Sequence, residues 1–354
     1  EDGVFLLEKA STNLVENSNF QSGWSVLSGG SITQNQSISP DGTQNAAILS
    51  GDGVNPNAAY TFINVTTQEY VYSMFAKKGS EHILRMKGFS GGANGNVEFN
   101  LINGTIETSS DGTFSNEKIE DYGNGWYRCS VKITVTSSGS KTFGFNREAV
   151  VSGDLFSVYG VQLESGNPSS YIPTQGNPQT RVAETASGSG NSEVFNDSEG
   201  VLFANVKLNK DDGSGKVISL NDNTSSNNRM MLLFSNGVSN RISARFDSSG
   251  SDITLNADGY DLTLNHKVVL KYKANDIAIW VDGFEVNSGN SFSAPSLLNR
   301  IDFYNPFGGG QDNFYGKTKE IAYYDTVLTD LELETLTSYR SLNELVTELN
   351  LKAL

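Results

Sequence analysis

From Gly153 to Arg181 the chain reads GDLFSVYGVQLESGNPSSYIPTQGNPQTR, and this stretch limits the possible folds more than any other. Leu155, Ser157, Tyr159, Val161 and Leu163 alternate with Phe156, Val158, Gly160 and Gln162. A period of two with apolar residues on both faces is the pattern of a central strand between packed sheets. Ser165, Gly166, Asn167 and Pro168 then break the strand, Tyr171, Ile172 and Pro173 add a last apolar contact, and Gly176, Asn177 and Pro178 break it again. The stretch therefore closes one β-sandwich and opens a linker.

Strands of the same kind precede it at regular spacing. Asn45 to Leu49, Ala59 to Val65, Tyr70 to Lys77, His82 to Gly88, Asn96 to Ile102, Trp126 to Val135 and Lys141 to Asn146 carry β-branched or aromatic residues between Gly, Asn and Ser turns. A second series follows the Ser, Gly and Asn-rich segment 177–199, from Val201 to Leu208 through Thr318 to Tyr324. Within it, Asp282-Gly283 between IAIWV and FEV supplies the positive φ of a two-residue hairpin. Near the C-terminus the period changes. Thr329 with Glu332 and Ser341 with Glu344 match the capping-box spacing, so two short helices are expected at the end. The expected fold is all-β: two tandem antiparallel β-sandwich (jelly-roll) domains with a short C-terminal helical segment. The expected divisions are an N-terminal arm over 1–11, a sandwich over 12–176, a linker over 177–199, a jelly roll over 200–326 and helices over 327–354. The apolar run Val4 to Leu7 is expected to pair at a sheet edge or to dock on a neighbouring subunit.

Charge and composition narrow the partners. A net charge of −15 argues against nucleic acid and anionic membranes, because phosphate binding requires clustered Lys and Arg. No apolar run approaches the roughly 18 residues of a membrane-spanning helix. The chain opens at Glu1 without an initiator methionine, as a processed chain or a fragment would. Cys129 is the only cysteine, which rules out an intrachain disulfide and a cysteine zinc site; it shares a face with Tyr127, Val131 and Ile133 and is expected to be buried.

Catalysis finds little support. His82 and His266 lie in or beside predicted strands with no nucleophile motif nearby. The Glu-x-Asp-x-x-Glu strand pattern that would hold two carboxylates across a sugar is absent from 200–326. Calcium is the one cofactor considered, with Asp222 and Asn223 in the oxygen-rich loop 219–229 as its candidate ligands. Sugar recognition needs an aromatic ring to stack on a pyranose and polar groups to bond its hydroxyls. Trp280 is the first candidate ring, since Ile277, Ile279 and Val281 occupy the opposite face of its strand. Tyr304, Asn305, Gln311 and Asp312 form a second set on the segment 301–316. Trp24 and Trp126 are read as buried.

Several motifs resemble a family of phage virion proteins that place a carbohydrate-binding-module-like sandwich before a laminin G-like, concanavalin A-like jelly roll. They are LLEKASTNLVENSNF at 6–20, YVYSMFAKKG at 70–79, GNGWYRCSV at 123–131, GVQLESGNPSSYIPTQGNPQTR at 160–181, VVLKYKANDIAIWVDGFEV at 268–286 and IAYYDTVLTDLELETL at 321–336. The resemblance implies a tail-fibre or head-appendage protein at the virion surface, touching host or environmental glycan and other virion subunits, in homo-oligomeric form or otherwise. Where such modules often carry paired aspartates for a structural calcium, this chain has Tyr159 and Gly160. The function expected from the sequence is non-catalytic glycan binding. The alternatives are a purely structural virion protein and a secreted bacterial polysaccharide-binding protein.

Overall fold

The structure is a computed structural model that describes residues 4–27, 29–54, 57–147, 150, 152–248, 251–307 and 312–339. The chain divides into two compact units, Ala10–Val182 and a second formed by Glu1–Lys9 with Ala183–Leu354. Both are all-β and antiparallel.

In the unit Ala10–Val182, one sheet runs Thr105–Thr108, Ala93–Asn100, Ile83–Ser90, Gly139–Arg147, Asn57–Val65 and Ser25–Val26 in spatial order. The other runs Phe114–Asp121, Trp126–Thr134, Glu69–Lys78, Ser152–Ser165, Ala46–Asp52 and Ser31–Ser37. Alternate residues of both sheets meet in a core that includes Leu84, Met86, Phe99, Phe143, Phe145, Met74, Cys129 and Val131. Burial in that core pushes the Cys129 thiol well above its ordinary pKa, which keeps it a neutral packing group.

The strand Ser152–Ser165 is central, as its pattern requires, but its phase is reset twice. Register shifts fall between Asp154 and Phe156 and between Tyr159 and Gln162. Each admits an extra residue, so Leu155, Phe156, Val158, Val161 and Leu163 all reach the core while Tyr159 does not. Strict alternation had put Tyr159 on the face of Val161. Gly160, at φ 59°, makes the second bulge possible, because a Cβ there would meet the Phe75 and Tyr171 rings at 3.2 Å.

The motifs at 6–20 and 160–181 interlock through buried polar groups. Asn13 donates to the carbonyls of Val161 and Ile172 and accepts from the backbone of Val15 and Leu163. The Glu164 carboxylate accepts from Ser11, from the Ser169 hydroxyl and amide, and from Gln162, whose own oxygen accepts from the Ile172 amide. Ser18 and Thr174 bond reciprocally. Burying these groups costs little only because each is paired, which explains the polar character of both motifs without a ligand.

The second unit has a six-stranded sheet in the order Phe5–Leu7, Gly316–Tyr324, Glu199–Leu208, His266–Lys273, Asp276–Val281 and Phe284–Gly289. Facing it is a five-stranded sheet, Ser251–Asp258, Arg241–Ser248, Asn228–Phe234, Lys216–Asn221 and Arg300–Asp302. The N-terminal run pairs at the sheet edge, with Leu7 in this core and Phe5 packed edge-on against Phe303 at 5.8 Å. Asp282 and Gly283 take φ values of 50° and 93° in the expected tight hairpin. The helix Asp330–Thr337 starts at the expected capping box, with Thr329 and Glu332 bonded reciprocally. The second expected helix, from Ser341 on, lies outside the described residues.

Candidate functional site

Trp280 sits on the face of its strand opposite Ile277, Ile279 and Val281, as alternation predicts, but that face is covered. It is 6% exposed and packs with Val201, Phe203, Val269, Ala278 and Leu333, the last from the helix Asp330–Thr337. Its indole N–H has no acceptor among the described residues. The ring therefore offers no stacking face to solvent. A helix over a sheet needs apolar contact on both sides, and Trp280 supplies the sheet's share.

Of the segment 301–316, Tyr304 and Asn305 lie against Ser219 and Arg229 of the five-stranded sheet. Phe303 and Phe314 enter the core, with ring centroids 5.7 Å apart, and between them the Tyr304 carbonyl accepts from Ser219 at 2.8 Å. Asn305 is buried and accepts from Arg229 at 2.6 Å. Arg229 in turn pairs with Asp247 at 2.6 Å, which also binds Arg245 at 2.8 Å. Asn305 is thus committed to a structural network. Tyr304 and Asp312 are half-buried, and Gln311 lies outside the described residues.

At the expected calcium loop, the Asp222 carboxylate accepts from the amides of Thr224 and Ser225 and from Asn228, at 2.8, 3.0 and 3.1 Å. Burial raises its pKa, but these bonds outweigh that and hold it below the ordinary value. Asp222 closes its own turn, while Asn223 is exposed at φ 55°. Among the described residues, no group of three or more His, Cys, Asp or Glu side chains is placed to hold a metal ion.

The outer face of the first sheet in the unit Ala10–Val182 is different. Here the aromatic residues are open. In the strand Asn57–Val65, Ala59 and Ile63 point to the core, which puts Tyr60 and Phe62 on the outside. Phe62 is 61% exposed and Phe89, from Ile83–Ser90, is 38% exposed. The Tyr60 centroid lies 5.8 Å from Phe62 and 6.4 Å from Phe89. Between the strands that carry these rings runs Gly139–Arg147, where Thr142 pairs with Phe62 and Gly144 with both Tyr60 and Lys87. Gly144 is buried beside these rings, and the backbone requires a glycine there: a Cβ would stand 2.4 Å from the Ala59 carbonyl.

Polar groups line the same face. Lys87 holds its ammonium 5.2 Å from the Phe89 centroid. Arg85 pairs with Glu98 at 2.6 Å, and Thr108 donates to the other Glu98 oxygen at 2.6 Å. Asn146, cross-strand from Arg85, is buried and its side-chain oxygen has no donor among the described residues. Exposed rings with nearby donors and acceptors form a surface on which a pyranose can stack and be bonded at its hydroxyls. The sequence reading did not single out these residues. The available signal was the apolar character of both faces in AAYTFINV, more than one sheet-to-sheet contact needs.

A third aromatic group occupies the outer face of the other sheet in this unit. Phe75 and Trp126 are buried there beneath the half-buried Tyr159 and Tyr171, with Tyr122 packed edge-on to Phe75 at 4.9 Å. Asp41 accepts from Tyr159 at 2.7 Å, and Trp126 donates to the Ile38 carbonyl at 3.0 Å. Chain segments cap most of this cluster.

No known protein family matches the chain, and no curated protein matches it by sequence. Among solved structures it is similar to the CBM40 module of Ruminococcus gnavus IT-sialidase, at 15% identity and a TM-score of 0.36 over 44% of this chain and 97% of that one. It is also similar to a heptameric SAP-like pentraxin from Limulus polyphemus, at 11% identity and a TM-score of 0.36 over 44% and 76%. A third similarity is to the LG4-5 domains of the mouse laminin alpha1 chain, at 10% identity and a TM-score of 0.29 over 90% and 89%. At these values the choice of ligand rests on the residues.

Proposed function

We propose that this chain is a non-catalytic glycan-binding protein whose contact surface is the open platform of Tyr60, Phe62 and Phe89 around Gly144. The observation that carries the reading is the exposure of these rings on a polar sheet face. Phe62 would otherwise be an unfavourable surface residue, and it lies beside groups suited to sugar hydroxyls. The chemistry of the face favours binding over cleavage. A glycosidase needs two carboxylates free to act across the sugar, whereas Glu98 is engaged by Arg85 and Thr108, and Asp111 by Asn96.

A shallow platform of this kind binds each sugar weakly and gains strength from repetition. Display in many copies on a phage particle, as a tail-fibre or head appendage touching host or environmental polysaccharide, would supply it. That placement rests on the sequence resemblance described above.

The test is binding to an immobilised panel of bacterial capsular and environmental polysaccharides by the full chain, Phe62→Ala and Phe89→Ala. Each variant is expected to lose roughly tenfold in affinity, about 1.4 kcal/mol, while melting as the parent does. Binding unchanged in both variants would rule out the platform. Silence from the folded parent across the panel would favour the purely structural reading.

A further inference from the structure

His266 begins the strand His266–Lys273 and is buried. Both ring nitrogens face acceptors: Nδ1 lies 2.7 Å from Asp282 Oδ2, and Nε2 lies 2.9 Å from the Asp261 carbonyl oxygen. A carbonyl oxygen cannot donate, nor can an ionised carboxylate. Both contacts are hydrogen bonds only if both nitrogens carry protons, so the geometry assigns an imidazolium.

The other oxygen of Asp282 joins this charge to the end of the C-terminal helix. It accepts from the Lys267 amide at 2.9 Å, and the Tyr339 hydroxyl, which donates to the Asn265 carbonyl at 2.9 Å, lies 3.2 Å from it. Next to it, the Gly283 amide donates to the Thr337 hydroxyl at 3.1 Å. The Lys267 ammonium donates to the Ser338 carbonyl at 2.9 Å and lies 5.0 Å from the Tyr339 ring centroid. Thus the hairpin tip at Asp282-Gly283 holds the segment that closes the helix, and that helix covers Trp280 through Leu333.

We propose that His266 is a protonation-dependent clasp that holds the helix Asp330–Thr337 over the Trp280 face of the sheet. The groups facing the imidazole are Asp282 from the hairpin tip and Asp261 and the edge-on Tyr260 ring from the preceding turn; the Lys267 amide and Tyr339 lie against Asp282, and the Lys267 side chain points the other way, to Ser338. Burial works against the charge, but the bond to Asp282 and that carboxylate's field, followed by the Asp261 carbonyl and charge, prevail and raise the pKa above 6.5. The stabilisation is therefore complete below the unfolded-state value and is lost as pH rises through the higher folded-state value. With the proton gone, one ring nitrogen presents a lone pair to an oxygen, and the tip loses the ion pair between the imidazolium and Asp282.

The chain has two histidines, so nitrogen-resolved NMR of the imidazoles across pH, assigned with the His266→Gln variant, follows both ring nitrogens of His266. Both His266 nitrogens are expected to carry protons at low pH, and the ring to release one of them above the ordinary histidine value of 6.5. Hydrogen exchange in residues 330–339, corrected for intrinsic pH dependence, is expected to accelerate at least tenfold across that titration. His266→Gln is expected to exchange fast there at every pH. A His266 that loses its proton below the ordinary histidine value, exchange that is equal on both sides of its titration, or parent-like protection in the variant would each overturn the clasp. Should the variant fail to fold, the parent's titration decides alone.

Discussion

Trp280 and Phe62 occupy equivalent places, each on the outward side of a sheet strand whose other side feeds a core, yet one is sealed and the other open. Over Trp280 lies the helix Asp330–Thr337, and Leu333 completes the apolar contact. Phe62 is 61% exposed, with the Tyr60 ring beside it and Phe89 on the far side of Tyr60. A large ring on an outer sheet face thus identifies a place that must be covered by something. Whether the cover is the chain itself or a ligand depends on elements far away in sequence.

The largest effect expected from this contrast is on stability. Trp280→Ala should lower it by about 3–5 kcal/mol, as removal of a buried aromatic ring does, while glycan binding at the platform stays intact; chemical denaturation and the polysaccharide panel measure the two. If Trp280→Ala instead bound less sugar with unchanged stability, the contrast would be reversed. Gly144→Ala comes next, at about 1–3 kcal/mol for a methyl forced against backbone, since its Cβ would stand 2.4 Å from the Ala59 carbonyl. The same methyl would stand 2.9 Å from the Tyr60 Cβ, so retained stability with weaker binding would show that the sheet can yield there and that the placing of the Tyr60 ring matters to the ligand.

The smallest effect separates a turn held by its own carboxylate from one held by a metal. Asp222 has a depressed pKa, so its contribution is present above the ordinary value of 3.8 and is lost as pH falls through the lower folded-state value. Asp222→Asn should flatten the acid limb of the stability profile below about pH 4, on the usual carboxylate scale. A melting temperature that drops on chelation would point to a cation in the loop instead.

Much of the fold was legible because strand alternation is a local property. Trp126 opposite Cys129, Trp280 opposite Ile279, the Asp282-Gly283 hairpin and the Thr329–Glu332 capping box all follow from neighbours a few residues apart. The bulges in Ser152–Ser165 did not, because an added residue shifts the phase only relative to a partner strand. The motifs at 6–20 and 160–181 were visible as polar and unusual, but their meaning as an interlock needed both halves together. Asn13 bonds the backbone of Val161, Leu163 and Ile172, and Glu164 takes one of its bonds from Ser11, so neither is fully satisfied by its own segment.

The site divides along the same line. By itself, the sequence determined the strands, their inward and outward residues and the acidic balance that disfavours nucleic acid. Only the tertiary structure decided which outward rings stayed in water. Local periodicity places a side chain on one of two faces, and exposure depends on what arrives from elsewhere to cover that face. For Trp280 this was a helix some 50 residues later, and for Phe62 none among the described residues packs over it.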